Sequence, residues 1–274
     1  MDVVNDLLPL AAMMLVTGAI AGVLAGLLGV GGGIVIVPVL DAALSIYGVD
    51  PEIRMHVAVA TSLTCIIFTS ISSARAHHQK GSVDLRLVRI WGVWILLGSL
   101  AGAIAASSVN SQILSAIFGV VALIVALKMM LPTDNLTVSN DLPQGLVAPV
   151  PPLMIGGLSS MMGIGGGTLS VPVLTLLNQP IHRAVGTAAL FGLLISLPGT
   201  AGFVVSGWGD SRLPPGSLGF VNLIGVALIA PVTVMMAPFG ARIAHRLNKR
   251  QLSMLFGSFL LLVALRMLYQ TFSG

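Results

Sequence analysis

A glycine-rich decapeptide ending in proline occurs twice in this chain, each time in apolar surroundings. The first copy runs Gly29-Val-Gly-Gly-Gly-Ile-Val-Ile-Val-Pro38; the second, 134 positions later, runs Gly163-Ile-Gly-Gly-Gly-Thr-Leu-Ser-Val-Pro172. Clustered glycines interrupt a helix and bare its backbone N–H groups. With 56% hydrophobic and only 8% charged residues, the chain cannot cover itself with polar surface as a soluble domain does with about 25% charged residues. Lipid is therefore its solvent, and a helix break survives in lipid only where protein or a water-filled cavity satisfies the freed groups. Two breaks at corresponding positions point to the substrate site of a transporter.

The correspondence extends well past the glycines. His56-Val-Ala-Val-Ala-Thr61 matches His182-Arg-Ala-Val-Gly-Thr187, and Gly81-Ser-Val-Asp84 matches Gly207-Trp-Gly-Asp210. Asn110-Ser-Gln-Ile-Leu-Ser-Ala-Ile-Phe-Gly119 matches Asn248-Lys-Arg-Gln-Leu-Ser-Met-Leu-Phe-Gly257, and Ala126-Leu-Lys-Met129 matches Ala264-Leu-Arg-Met267. The blocks keep their order, so the chain reads as one duplicated unit of about 130 residues. Residues 1–131 form the first repeat, 132–150 a polar, proline-bearing linker, and 151–274 the second repeat.

Hydropathy and punctuation predict helical segments near 7–28, 34–47, 52–74, 88–107 and 111–131, then 149–162, 168–178, 181–205, 218–239 and 250–270. A full span takes about 20 residues. The pieces at 34–47, 148–162 and 168–178 are short for that and read as half-helices meeting at a break, while 7–28 is long enough to cross. Pro51 and Pro180 suit the first turn of the helices that follow. Pro198-Gly199 predicts a kink and a plausible hinge.

The net charge of +4 does not indicate nucleic acid, because the basic residues sit in short clusters between apolar runs, the pattern that orients membrane proteins. After the third segment the first unit carries Arg75, Lys80, Arg86 and Arg89, where the second carries only Arg212 beside Asp210. Around the following loop the second unit carries Arg242, Arg246, Lys249 and Arg250, where the first has none. Equivalent loops thus face opposite sides, and the repeats are inverted. With both termini outside, those eight cytoplasmic residues are joined by Lys128 and Arg183, and only Arg54, Arg212 and Arg266 lie outside. The expected fold is an all-α integral membrane protein of two inverted-topology repeats, each a glycine-broken helical hairpin plus three spanning helices. Its expected location is the cell (cytoplasmic) membrane, crossed many times.

The chemistry is expected at the breaks. Gly31, Gly32 and Gly33, and likewise Gly165, Gly166 and Gly167, stand at the N-termini of short helices, where the dipole presents about half a positive charge. Ile34, Thr168 and Ser170 would line the cavity, with Thr61 and Thr187 on nearby helices. No lysine or arginine lies in mid-segment, so two helix ends together compensate about one negative charge. That favours a monoanion or a weakly charged sulfonate or carboxylate. His56 and His182 are candidates for a coupling proton, because histidine titrates near neutrality. Asp41 joins them as an intramembrane carboxylate, its repeat partner being Thr175. The competing reading of the glycines is close helix packing alone. That explains neither the proline that follows each break nor the duplication.

Enzymatic readings fail on spacing. Neither glycine block completes a dinucleotide fingerprint, no Gly-Lys-Ser/Thr exists for a phosphate loop, and His77-His78 lack a companion cluster for a metal. No enzyme activity, cofactor or metal is expected. The lone Cys65 reads as a buried core residue.

The two Gly-x-Gly-Gly-Gly…Val-Pro blocks, the His-x-Ala-Val-x-Thr motifs and His78-Gln-Lys-Gly-Ser-Val-Asp84 followed by Gly98-Ser-Leu-Ala-Gly102 resemble the TauE/SafE sulfite-exporter family, also called the TSUP permeases. The resemblance covers nearly the whole chain. It implies a multi-pass secondary transporter, an exporter by the family's usual activity, for sulfite, sulfonates such as sulfoacetate, or related carboxylates. An ion or proton gradient would drive it, since nothing resembles an ATP-binding segment. An anion channel or a carboxylate permease on the same scaffold is the alternative. The second unit departs from the pattern at Gly207–Gly216, with Trp208 and Pro214-Pro215.

Overall fold

Glycines, prolines and polar caps cut the apolar sequence into ten α-helices among the described residues of a computed structural model, which are 2–28, 32–131, 143, 145–244 and 249–273. In order they are α1 (Asp2–Leu28), α2 (Gly33–Ile46), α3 (Pro51–Gln79), α4 (Leu85–Ser107), α5 (Ser111–Met130), α6 (Val150–Met161), α7 (Gly166–Leu176), α8 (Ile181–Ser206), α9 (Leu223–Ala244) and α10 (Lys249–Ser273). The starts follow capping chemistry. Asp50 accepts the Glu52 N–H ahead of Pro51, Asp84 accepts that of Leu87, and Asn110 accepts that of Ile113.

Five helices among the described residues, α3, α4, α5, α8 and α9, are long and apolar enough to cross a membrane. The sixth expected crossing is α10, and α2, α6 and α7 are the predicted short pieces. α8 runs unbroken through Pro198. The predicted segment at 218–239 is corrected at its start. Ser217–Leu218 (β1) and Val221–Asn222 (β2) pair as a two-residue antiparallel hairpin, and the helix begins only at Leu223. The turn glycine Gly219 has φ +54° and its absent Cβ would stand 2.2 Å from the Val204 carbonyl oxygen. No other residue fits that turn, and the helix cannot extend back through it.

α3 lies at the centre, with 67% of its apolar window buried against 33–44% for the other four spans. α1 packs along α9, α4 along α6, α5 along α10 and α3 along α8. Small residues at four-residue spacing let backbones touch, as is usual between helices in lipid. A Cβ at Gly98 or Gly102 of α4 would stand 2.3 Å from the carbonyl oxygen of Leu153 or Gly157 of α6. On α1, Gly18 and Gly22 meet the carbonyls of Ile229 and Thr233 of α9 in the same manner. Contact residues rise together along α1 and α9, so that pair is parallel. The central pair is antiparallel: Ser70 of α3 meets Gly192 of α8, while Leu63 meets Gly199. α5 and α10 are antiparallel too, with Gly119 on Leu268 and Met130 on Gly257.

Candidate functional site

The two glycine breaks meet in the interior. Gly32, in a left-handed conformation at φ 79°, caps α2 without a side-chain hydrogen bond. At Gly33 a Cβ would lie 2.6 Å from the Gly163 carbonyl oxygen and 3.0 Å from Ile164 Cα, so the first break rests directly on the second. Gly31 lies outside the described residues. The second break is an ordered turn: α6 closes with Ile164 N–H donating to Ser159 O at 3.0 Å and Gly163 N–H to Ser160 O at 3.2 Å. That is a Schellman closure, with Gly163 supplying the left-handed residue at φ +64°. Ser62 of α3 donates to the Gly163 carbonyl at 2.7 Å and ties the turn to the central helix. Gly165, also without a side-chain cap, then starts α7. The bare edge of Gly166 presses on Ala188 and Gly192 of α8, and Gly167 follows it into the interior.

Among the described residues, four buried hydroxyls have no hydrogen-bond partner: Ser159, Ser160, Thr168 and Ser170. None is more than 3% exposed. They stand in the last turn of α6 and the first turns of α7, on either side of the break. An unpartnered buried hydroxyl costs about 1–3 kcal/mol, so four around one turn mark a place built for something other than packing. Thr168 and Ser170 are the residues expected from sequence. Ser159 and Ser160 are additions, since serines in an apolar helix ordinarily bond their own backbone. The sequence correspondence pairs the four with Ala25, Gly26, Ile34 and Ile36, and Ile34 and Ile36 are buried core residues.

The remaining expected residues lie elsewhere. Thr61 accepts the Asn222 N–H at 3.0 Å, and Thr187 accepts the Asp84 N–H at 2.9 Å. Both acceptors hold the residue just before a helix, because Asn222 caps Gly225 N–H at 2.7 Å and Asp84 caps Leu87 N–H at 3.0 Å. Asn222 and Asp84 thus play the same part, each held by a threonine and capping the helix that follows. The two threonines join halves of the molecule at opposite ends of α3 and α8.

His56 and His182 differ. His182 is exposed at the start of α8. His56 is buried, its ring 5.1 Å from that of Phe220. Its Nε2 lies 3.0 Å from the carbonyl oxygens of both Ala106 and Val109, and its Nδ1 lies 3.3 Å from Ser111 Oγ. The Ser111 hydrogen goes to Glu52 O at 2.6 Å, so oxygen lone pairs face both ring nitrogens. Asp41 is buried on α2 and bonded to Arg54 of α3, Nε to Oδ1, at 2.9 Å. Arg54 also donates to Ser45 Oγ at 3.1 Å.

The insertion at 207–222 forms a strap over this end of the molecule. Arg212 reaches Glu52 at 2.8 Å and Asp210 at 2.8 Å, with Asp50 at 3.8 Å, and Phe220 wedges between His56 and Phe203. The hydrogen bond from the Arg212 side chain, then that from its backbone, holds the Asp210 carboxyl below the usual aspartate range. A carboxyl depressed on folding stabilises above its unfolded value, and that stabilisation is lost as pH falls through the folded one. Acidification past the ordinary aspartate value of about 3.9 is therefore expected to loosen the strap. Asp210→Asn should flatten that limb of the melting-temperature profile, by a small amount because the pair is solvent-exposed.

A bundle of apolar helices long enough to span a membrane, with two helix breaks joined in its interior, defines the class, a multi-pass membrane protein. Comparison with known proteins makes it specific. The family model described as "Sulfite exporter TauE/SafE" matches residues 14–267, and the chain belongs to that family. A "Probable membrane transporter protein" of Haemophilus influenzae is 35% identical over 255 residues, covering 93% of this chain and 97% of the relative. The "Probable membrane transporter protein YunE" of Bacillus subtilis is 27% identical over 278 residues, covering 94% and 97%. A relative from Methanocaldococcus jannaschii, again a probable membrane transporter, is 26% identical over 267 residues, covering 96% and 97%. No solved structure matches this chain.

Proposed function

We propose that this protein is a secondary carrier of the cytoplasmic membrane for a small sulfur-containing or carboxylate anion such as sulfite, a sulfonate or sulfoacetate, and that it works as an exporter. The anion binds where the two glycine breaks touch. The contact of Gly33 with Gly163 and Ile164 is the observation that carries this reading. It brings two uncapped helix starts to one interior place, where N–H groups and helix dipoles favour negative charge. The two halves, 1–131 and 151–274, are inverted copies joined by the 132–150 linker. The antiparallel course of α3 against α8 and of α5 against α10 supports this, because each pair consists of sequence counterparts. Alternating access is then a rocking of one copy on the other around the shared site.

Of the candidates for a coupling proton, His56 is favoured. Acceptors at both ring nitrogens suit the doubly protonated ring, which donates from both. His56→Gln is expected to remove the pH dependence of uptake, whereas His182→Gln retains it.

Proteoliposomes test the whole reading. Sulfite, sulfoacetate and acetate should show counterflow that responds to an imposed pH gradient. Large single-channel currents without counterflow would replace the carrier with a channel. Cysteines at Lys80 and Arg250 should label from one side of the membrane and a cysteine at Arg212 from the other. Labelling of the first two from opposite sides would end the inverted arrangement.

A further inference from the structure

We infer that the anion is coordinated by one half of the molecule only. Ser159, Ser160, Thr168 and Ser170 hold it by donated hydroxyl hydrogens, and the first break serves as an apolar wall. This rests on the carrier reading above and names the coordinating set, four hydroxyl donors that the oxygens of one oxyanion can share.

Three observations carry it. First, the four hydroxyls are unpartnered and more than nine-tenths buried, and they flank a single turn within a twelve-residue stretch. Second, the counterpart positions in the first half offer no donor side chain: Ala25, Gly26, Ile34 and Ile36. The backbones differ as well, Gly32 capping α2 in the left-handed region at φ 79° and Gly165 capping α7 in the extended region at φ −74°, so the asymmetry runs through main chain and side chains alike. Third, the polarity of the site selects an anion. Thr168 and Ser170 stand in the opening turns of α7, where the dipole is positive and the backbone start has no side-chain cap. A hydroxyl there serves a negative guest by donating its hydrogen. A cation would need its oxygen and meet the same dipole with the wrong sign.

The neighbouring serines are already committed. Ser62 donates to Gly163 O and Ser99 to Ile195 O. Ser160 Oγ lies 2.9 Å from where a Cβ at Gly199 would stand, beside Pro198 of α8. One arm of the set therefore rests against the proline-bearing part of the central helix pair.

Thr168→Val with Ser170→Ala tests the inference, with Ser159→Ala and Ser160→Ala as further variants and Ser206→Ala, an exposed hydroxyl at the end of α8 that donates to Gly202 O, as the control. Each hydroxyl variant removes a group with no partner in the protein, so folding should survive. Without substrate the hydroxyl variants should melt no lower than wild type. Wild type should melt higher with sulfite or acetate than with chloride, and Thr168→Val with Ser170→Ala should lose that rise. Counterflow of labelled sulfite or acetate should fall about tenfold or more through a raised KM, as loss of hydrogen bonds to a charged group implies. Ser206→Ala should stay within about twofold. Wild-type counterflow and melting shift that persist in the hydroxyl variants would overturn one-sided coordination and leave the carrier reading standing. Wild type with neither response to any of these anions would overturn both.

Discussion

Gly163→Ala is expected to abolish transport and lower stability by about 2–5 kcal/mol, the sum of left-handed strain and overpacking. The backbone φ of +64° disfavours any side chain, and the added methyl would meet α3 at its backbone, 2.8 Å from Val59 Cα and 3.0 Å from Val59 O. A backbone cannot swing aside as a side-chain end does. The displaced turn would also move the carbonyl that Ser62 holds and Gly33 touches. Gly48→Ala is the control, since Gly48 has φ +75° but nothing within 4 Å of the added methyl. It should lose only about 1–2 kcal/mol and keep its counterflow. Melting in detergent micelles and counterflow in proteoliposomes read both variants. Equal behaviour of the two would mean that the contact between the breaks does no more than fill space.

Most of the helical framework was legible because the punctuation in this sequence is strong. In lipid an apolar run must be a helix, and only glycine, proline or a polar cap can end it. The ends of α2, α5, α6, α7 and α8 accordingly fall within two residues of their predicted places, while α3 runs on through His77 and His78 because nothing before Gly81 stops it. The hairpin at 217–222 was not legible. Leu218, Phe220 and Val221 are apolar enough to read as the start of a helix, and the turn depends on a contact with Val204 that only the folded chain supplies. The same hairpin disguised Asn222, whose capping of Gly225 N–H depends on the turn that precedes it. At the site, Thr168 and Ser170 were visible from their place after the glycines. Ser159 and Ser160 became visible only once they lacked partners, although their pairing with Ala25 and Gly26 was a signal already present.

Asp41 illustrates the remaining limit and carries the second large effect. It was singled out as a lone acid in an apolar helix, but Arg54 lies 13 residues on, beyond the turn at Gly48, and folds back onto it at 2.9 Å. Their side chains are only 4% and 20% exposed. Arg54→Ala should therefore cost about 3–5 kcal/mol, because it strands a buried carboxylate. Asp41→Asn should cost less, since the longer arginine is nearer solvent and keeps Ser45 as a partner. Asp41→Asn combined with Arg54→Met should recover much of the loss, because no buried charge is then left alone. Melting temperatures across this cycle measure the coupling of the pair, and a cycle that is simply additive would show that the two side chains do not support each other. The pH profile of transport then separates the roles. If the pair is a strut between α2 and the first turn of α3, Asp41→Asn keeps the profile that His56→Gln abolishes; a profile flattened by Asp41→Asn would return the coupling proton to the carboxylate.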